Sequence, residues 1–294
     1  MSDGVLLVAH GTVESLDDLP AFVQRIRRGR PAPAGLVEEL RRRYEIIGGS
    51  PLLATTKEQA RHLARLLDLP VLVGMRLWHP EVSEALAGAA DLGVRRLCVL
   101  PMAPYSVHIY CAHVRAELER LKETLGPRAP ELLDASPWGT LPGFLDAYLE
   151  QIRVALDGSD GYEVILTAHS LPSHIIREGD PYRVQFEAAV VALRQRLGIG
   201  ATLAYQSQGA DGGDWLGPSL LDAMQAARAR GCKGVVVAPL GFVAEHVETL
   251  YDLDVEAKAQ AAELGLGFRR VPVIELDDGM MRALAGVARD ALRS

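Results

Sequence analysis

The chain has 294 residues, of which 49% are hydrophobic and 23% charged, and its formal net charge at pH 7 is −7. This size and composition suit two globular domains with full cores, and the acidic balance argues against general binding of nucleic acid. The sequence has no apolar run of about 18 residues and no leader pattern at its start, so we expect a cytoplasmic protein without a membrane-spanning segment.

Short apolar runs alternate with stretches of helical periodicity along the chain, which is typical of βαβ units around parallel sheets. Strands are predicted at residues 4–9, 70–75, 96–101, 163–168, 202–206, 234–239 and 269–274. Helices are predicted at residues 17–26, 34–45, 56–67, 80–91, 112–125, 143–156, 182–196, 218–230, 243–264 and 278–292, and a turn at 209–213. The predicted fold class is therefore α/β, with parallel sheets flanked by helices.

The two halves of the chain repeat a pattern. An apolar run that ends in Ala-His occurs at residues 5–10 and again at 164–169. Four further residues recur at an offset of 138 residues: Pro80, Gly93, Pro101 and His108. The repeat predicts two Rossmann-like domains, 1–138 and 139–294, joined near residues 136–142, with a last helix that can pack back on the first domain.

The predicted strand ends indicate where a ligand would bind. In open α/β sheets, ligands bind outside the carboxyl ends of the strands. His10, His169 and the residues after Pro101 and Pro239 all lie at such ends. We therefore expect an active-site cleft between the two domains, and the histidines favour a site that handles a metal.

The three cysteines, Cys98, Cys111 and Cys232, are scattered without C-x-x-C spacing. Cys98 and Cys232 fall in or beside predicted buried strands, where a free cysteine usually behaves as a small apolar side chain. We expect no iron–sulfur cluster, because three cysteines cannot supply four thiolate ligands.

His169 ends a predicted strand, and Pro172 prevents a smooth continuation into a helix. An imidazole held there can accept a proton near neutral pH or bind a metal through its neutral form. A structural histidine that caps the strand end explains the same pattern, and the residues alone leave both interpretations open.

A cluster of carboxylates follows the predicted strand at 234–239. If 243–264 is a regular helix, Glu248, Asp252 and Glu256 stand at i, i+4 and i+8 and form a ladder on one face. Such a ladder can lead a hard cation towards Glu248, because carboxylate oxygens are its preferred ligands. A solvated acidic face beside an apolar stripe is the alternative interpretation.

Two dense basic runs stand out in this acidic chain, at residues 27–30 and 41–43. Arginine forks pair well with planar carboxylates, so these runs are candidates for binding an anionic ligand. The turn at residues 48–51 can expose backbone N–H groups to the same ligand. Ordinary helix surface is the alternative for the arginines.

Eight segments of the sequence match the pattern of one known family: Gly11-Thr12 and residues 26–31, 43–52, 74–76, 168–172, 205–207, 215–218 and 241–252. In these segments the chain resembles the ferrochelatases, and the resemblance runs along nearly its whole length. His-Ser-Leu-Pro followed by Gly-Phe-Val and His-x-Glu-x-Leu-Tyr-Asp is its most specific part. The resemblance implies two Rossmann-like halves around a porphyrin cleft and ATP-independent insertion of Fe(II) into a free-base porphyrin in haem biosynthesis.

The resemblance also implies roles for particular residues. His169 and Glu248 would be the catalytic pair that handles metal and protons, and Asp252 and Glu256 would be outer carboxylates where an additional divalent cation can bind. His10 stands where related enzymes often have a tyrosine that ligates iron, so it would be a metal ligand and would contact the porphyrin. The other positions matched to porphyrin binding are Arg27, Arg43, Tyr44, Ser50 and Tyr110. Fe(II) would be the substrate, with no organic cofactor.

The substrate is the point on which related families differ. The arginine segments resemble the branch that metallates coproporphyrin III rather than protoporphyrin IX, and four propionates suit several arginine donors. His10 before Gly11-Thr12 instead resembles the smaller chelatases that insert cobalt or iron into sirohydrochlorin. The alternatives are therefore such a tetrapyrrole chelatase or a tetrapyrrole-binding protein without catalysis. We expect a monomer whose partner is a porphyrin and not a nucleic acid.

Overall fold

The computed structural model describes residues 2–209 and 213–294. The chain forms two compact units, each built on its own four-stranded parallel sheet with flanking helices. The first unit comprises the residues up to Arg41, Ser50–Trp138 and Glu275–Ser294, and the second comprises Arg42–Gly49 and Gly139–Ile274. The α/β fold class is confirmed, whereas the domain limits 1–138 and 139–294 and the cleft stay predictions.

The first unit contains most of the chain before residue 139. In chain order it has β1 (Asp3–Ala9), α1 (Leu19–Ile26), α2 (Leu36–Ile47, its last residues in the second unit), α3 (Leu52–Leu67), β2 (Val71–Met75), α4 (Val82–Asp91), β3 (Arg96–Pro101), α5 (Val107–Leu125) and β4 (Glu131–Asp134). The strand order is β2-β1-β3-β4, and Val5 of β1 pairs with Val71 and Cys98. Because β1 is central and almost wholly buried, it holds the residue after it, His10, on a rigid strand end.

The second unit repeats this arrangement. In chain order it has α6 (Pro142–Leu156), β5 (Tyr162–His169), α7 (Ser173–Arg177), α8 (Tyr182–Leu197), β6 (Ala201–Gln206), α9 (Leu220–Ala229), β7 (Gly234–Ala238), α10 (Val247–Leu250), a π-helix (Asp252–Ala257), α11 (Lys258–Glu263) and β8 (Gly267–Arg270). The strand order is β6-β5-β7-β8, and Ile165 of the central β5 pairs with Thr202 and Val237. The final helix, α12 (Asp278–Arg293), belongs to the first unit and packs on α3 and β3.

The sequence repeat has a structural counterpart just before helices α4 and α9. Pro80 and Pro218 both follow a cis peptide bond. The carbonyl of each accepts a hydrogen bond from a strand N–H, that of Met75 at 2.7 Å and that of Tyr205 at 2.9 Å. The next residue in each unit is the N-cap of a helix that starts with a capping box. The two repeated prolines therefore have the same strand contact and the same position before a helix cap.

Several predicted elements need correction. Strand β4 and the short helix α7 were not predicted. The strand predicted at 269–274 lies at 267–270. The helix predicted at 243–264 begins at Val247 and is interrupted by the π-helix. The predicted turn at 209–213 includes residues 210–212, which lie outside the described residues. Within the described ranges, every helix is too short or too polar to cross a membrane.

Candidate active site

His169 and Glu248 form a direct pair in the second unit. The Nδ1 atom of His169 lies 2.8 Å from Oε2 of Glu248, and about a third of each side chain is exposed, 34% and 30% respectively. His169 is the last residue of β5, and Glu248 lies in the first turn of α10. The two predicted catalytic residues, 79 positions apart, are thus brought together where a ligand can reach them.

The charge around His169 favours its protonated form. Burial lowers the pKa of His169, but the charge and hydrogen bond of Glu248 and the charge of Asp252 outweigh it, so the net pKa is raised. An imidazole and a carboxylate at this distance share a proton. When that proton leaves, both groups present lone pairs suited to a metal ion.

His246 holds the helix that carries Glu248. It is the N-cap of α10, and its Nδ1 accepts a hydrogen bond from the backbone N–H of Glu248 at 3.1 Å. Burial lowers the pKa of His246, over the opposing charges of Glu248 and Glu245. Because Nδ1 accepts a hydrogen bond, a neutral His246 carries its proton on Nε2. The sequence alone left the role of this residue open.

The turn between β7 and α10 is fixed from both sides. The buried hydroxyl of Tyr148 lies 2.8 Å from the carbonyl oxygen of Pro239 and 2.9 Å from that of Phe242. Gly241 lies against β5, where an added Cβ would come within 2.8 Å of Cα of Ala168. This close approach requires glycine, and it leads the chain from β7 towards His246 and Glu248.

Asp252 and Arg43 form an ion pair beside this site. The distance from Nη1 of Arg43 to Oδ1 of Asp252 is 3.0 Å, and Asp252 is only 12% exposed. The guanidinium of Arg43 also lies 4.7 Å from the centre of the Tyr251 ring, and Ser207 donates a hydrogen bond to Asp252. The predicted porphyrin ligand Arg43 is therefore paired with the predicted cation ligand Asp252.

The pKa of Asp252 is raised to about 7. Burial is the main cause, and the nearby charges of Glu248 and Glu256 add to it. The hydrogen bond from Ser207 and the charge of Arg43 act in the opposite direction without cancelling the shift. Asp252 is consequently a carboxyl group that can exchange a proton near neutral pH.

The carboxylate ladder does not stand on a regular α-helix, so the condition on which it rested is not met. A π-helix spans Asp252–Ala257, and the N–H groups of both Val255 and Glu256 bond to the carbonyl of Tyr251. A π-turn is wider than an α-turn, which changes the direction of the side chains after Asp252. Asp252 is largely buried whereas Glu256 is exposed. In the part of the chain that the structure describes, no three His, Cys, Asp or Glu side chains converge as a closed metal site.

In the first unit, His10 and Tyr110 come together. Nδ1 of the exposed His10 lies 3.4 Å from the hydroxyl of Tyr110, whose ring lies 5.3 Å from the guanidinium of Arg76. Tyr110 is buried in α5 and His10 follows β1, so the sheet and this helix position the imidazole. These contacts bring together two of the predicted porphyrin-binding residues of the first unit, one after a strand and one on a helix.

The remaining predicted porphyrin-binding residues are Arg27, Ser50 and Tyr44. Arg27 is partly exposed and donates from Nε to the carbonyl of Pro31 at 2.9 Å. The hydroxyl of Ser50 lies 3.5 Å from the N–H of Leu52, at the start of α3. Tyr44 is buried, with 4% exposure. The structure shows where these residues stand, and their role with porphyrin stays a prediction.

Comparisons with known proteins agree on one family. A sequence model described as Ferrochelatase matches residues 2–292. The chain is similar to the ferrochelatase of Acidobacterium capsulatum, with 33% identity over 98% of this chain and 94% of the relative. It is equally similar, at 33% identity, to the coproporphyrin III ferrochelatase of Nocardia farcinica, over 99% of this chain and 88% of that protein.

A comparison of structures supports the fold. SirB from Bacillus subtilis with Fe3+ matches with a TM-score of 0.62, covering 99% of this chain and 96% of that one, at 11% sequence identity. At that identity the match shows a shared fold alone. The family match along the chain, the relatives at 33% identity and the paired His169 and Glu248 lead to the same conclusion. The chain belongs to the ferrochelatase family.

Proposed function

We propose that this ferrochelatase inserts Fe(II) into free-base coproporphyrin III in preference to protoporphyrin IX, with His169 and Glu248 as its catalytic pair. The observation that carries the proposal is the 2.8 Å contact between a strand-end imidazole and a carboxylate that both remain accessible. Such a pair combines a metal ligand with a proton acceptor in one place.

The chemistry requires an account of protons as well as metal. Insertion of a divalent ion into a porphyrin releases two N–H protons, and the pair of His169 and Glu248 accepts a proton when it is unprotonated. Asp252, with a pKa of about 7, is a further carboxyl group able to take up a proton at neutral pH. We propose that protons leave the porphyrin towards these carboxylates while Fe(II) exchanges its water for the lone pairs of the pair.

The preference for coproporphyrin III rests on the arginines. Coproporphyrin III carries four propionates, and bidentate arginine–carboxylate pairs are among the strong charged hydrogen bonds. The proposed donors are Arg27 and Arg43, which are both partly exposed, together with Ser50. The name of the Nocardia farcinica relative is in line with this preference.

An additional divalent cation at Asp252 and Glu256 is part of the proposal. Nη1 of Arg43 already lies 3.0 Å from Asp252, so a cation there has to compete with a guanidinium. A porphyrin propionate that takes up Arg43 would release Asp252 for a cation. The cation is therefore expected to bind more strongly in the presence of a propionate-bearing porphyrin than in its absence.

The test is an anaerobic assay with Fe(II) that follows the absorbance of coproporphyrin III and protoporphyrin IX in separate reactions. Faster metallation of coproporphyrin III supports the proposal, and a preference for protoporphyrin IX overturns the argument from the arginines. His169→Ala and Glu248→Gln should each abolish turnover while porphyrin binding, measured by quenching of fluorescence, persists. His62→Ala, on α3 of the first unit, is the matched control and should retain turnover.

Sirohydrochlorin is the competing substrate, and His10 is the residue that favours it. Its imidazole, near Tyr110, replaces the tyrosine expected in the coproporphyrin branch. The same assay with sirohydrochlorin, using both Fe(II) and Co(II), separates the two activities. Metallation of sirohydrochlorin without metallation of either porphyrin would replace the proposal, and binding without any metallated product would favour a carrier.

A further inference from the structure

Gln206, the last residue of β6, forms a buried link between the two catalytic residues. Its side-chain Nε2 donates to the backbone carbonyl of Glu248 at 2.7 Å. On the main chain, Gln206 pairs with His169 in the register of β5 and β6, and its carbonyl accepts the N–H of Ser170 at 2.7 Å. One residue therefore touches the strand that ends in His169 and the helix that carries Glu248.

The orientation of the Gln206 amide is fixed by its partners. The carbonyl of Glu248 can only accept a hydrogen bond, so the NH2 group must face it. The hydroxyl of Thr167, which is fully buried on β5, then donates to Oε1 of Gln206 at 2.6 Å. A flipped amide would place two acceptors 2.7 Å apart at Glu248, so only one arrangement satisfies both ends.

The same link continues to Asp252. Nε2 of Gln206 lies 3.4 Å from the hydroxyl of Ser207, which in turn donates to Asp252. Ser207 has φ +59°, a left-handed conformation that is uncommon for a residue other than glycine. The backbone at the end of β6 is therefore shaped so that consecutive side chains reach Glu248 and Asp252.

We propose that Gln206 is a positioning residue that sets the distance between His169 and Glu248, with Thr167 orienting its amide. The inference rests on the proposed function, because it matters for catalysis only if this pair is catalytic. Hydrogen bonds behind a metal-handling residue typically change activity or metal affinity by about 10- to 100-fold when they are removed.

The first test replaces the amide by an apolar group of similar length. Gln206→Met leaves the carbonyl of Glu248 and the hydroxyl of Thr167 without their shared partner. We expect kcat for Fe(II) insertion to fall by about 10- to 100-fold, while the Kd for porphyrin stays within about twofold. A purely structural role would instead lower porphyrin binding and the melting temperature together with kcat.

Thr167 provides a test with a built-in rescue. Thr167→Val keeps the shape of the side chain but removes the donor to Oε1 of Gln206, whereas Thr167→Ser keeps the donor. We expect kcat to fall in the valine variant and to return towards the wild-type value in the serine variant. If Gln206→Met does not fold, this pair decides the question, and equal kcat in both variants overturns the inference.

Tyr205→Phe is the matched control. Tyr205 precedes Gln206 on β6, and its buried hydroxyl has no hydrogen-bond partner among the residues that the structure describes. Its removal should leave kcat unchanged. If wild type metallates porphyrin and Gln206→Met does so at the same rate, the positioning role is refuted and the proposed function stands. If wild type metallates no porphyrin, the proposed function itself fails.

Discussion

The buried carboxyl of Asp252 should leave a measurable trace in the pH dependence of stability. Its pKa is raised to about 7 in the folded protein, chiefly by burial, whereas the ordinary value of this carboxyl is 3.8. Between these two pH values the folded state binds more protons than the unfolded state. The free energy of unfolding must therefore fall as the pH rises through this window.

The size of the effect follows from the two pKa values. A shift of about three units, at about 1.36 kcal/mol per unit, sets a ceiling of roughly 4 kcal/mol. Between pH 5 and pH 8, linkage predicts that deprotonation of Asp252 lowers the free energy of unfolding by about 2–3 kcal/mol. Asp252→Asn has no proton to lose, so its stability relative to wild type should rise by that amount over the same interval.

The assay is urea unfolding of wild type and Asp252→Asn at pH 5, 6, 7 and 8. The quantity to compare is the difference in unfolding free energy at each pH, because this cancels the other titrating groups. Asp146→Asn is the matched control. It replaces an exposed carboxylate of the same unit, which forms an ion pair with Arg196. If the difference for Asp252→Asn is constant with pH, Arg43 dominates over burial and the reasoning is refuted.

Three further predictions follow from the site. Gly241→Ala should lower the unfolding free energy by about 1–3 kcal/mol in urea, because the new Cβ would lie 2.8 Å from Cα of Ala168, and unchanged stability would contradict the close approach. Tyr148→Phe should cost about 1–3 kcal/mol in the same measurement, since the carbonyl of Pro239 loses a buried donor, and a neutral result would show that water replaces the hydroxyl. His10→Ala should retain metallation but alter the visible spectrum of the bound product, and an unaltered spectrum would remove His10 as an iron ligand.

The sequence predicted most of the strands because their apolar runs reflect burial, which is a local signal. Strand β4 was not predicted because it is short and its four residues are half-buried or exposed. The π-helix could not be predicted either, since the residues of 243–264 have an α-helical period and the extra residue per turn is a property of the backbone hydrogen bonds. The type of an element was thus easier to predict from the sequence than its internal geometry.

The site was predictable to the extent that motif residues carry it. His169 and Glu248 were expected together, and they are. The pairing of Arg43 with Asp252 was not, because charges 209 residues apart give no sign in the sequence that they meet. Gln206 was also missed, although a polar residue at the carboxyl end of a predicted strand was a signal that could have been followed.

The paired prolines, Pro80 and Pro218, have a bearing on how this chain arose. Duplication of an ancestral half-chain accounts for two prolines at the same sequence offset that share a strand contact and precede a helix cap. The histidines at the repeated positions have meanwhile diverged, since His246 is a helix cap beside Glu248 whereas His108 is exposed in α5. A duplicated scaffold of this kind lets one copy specialise in chemistry while both copies go on building a sheet.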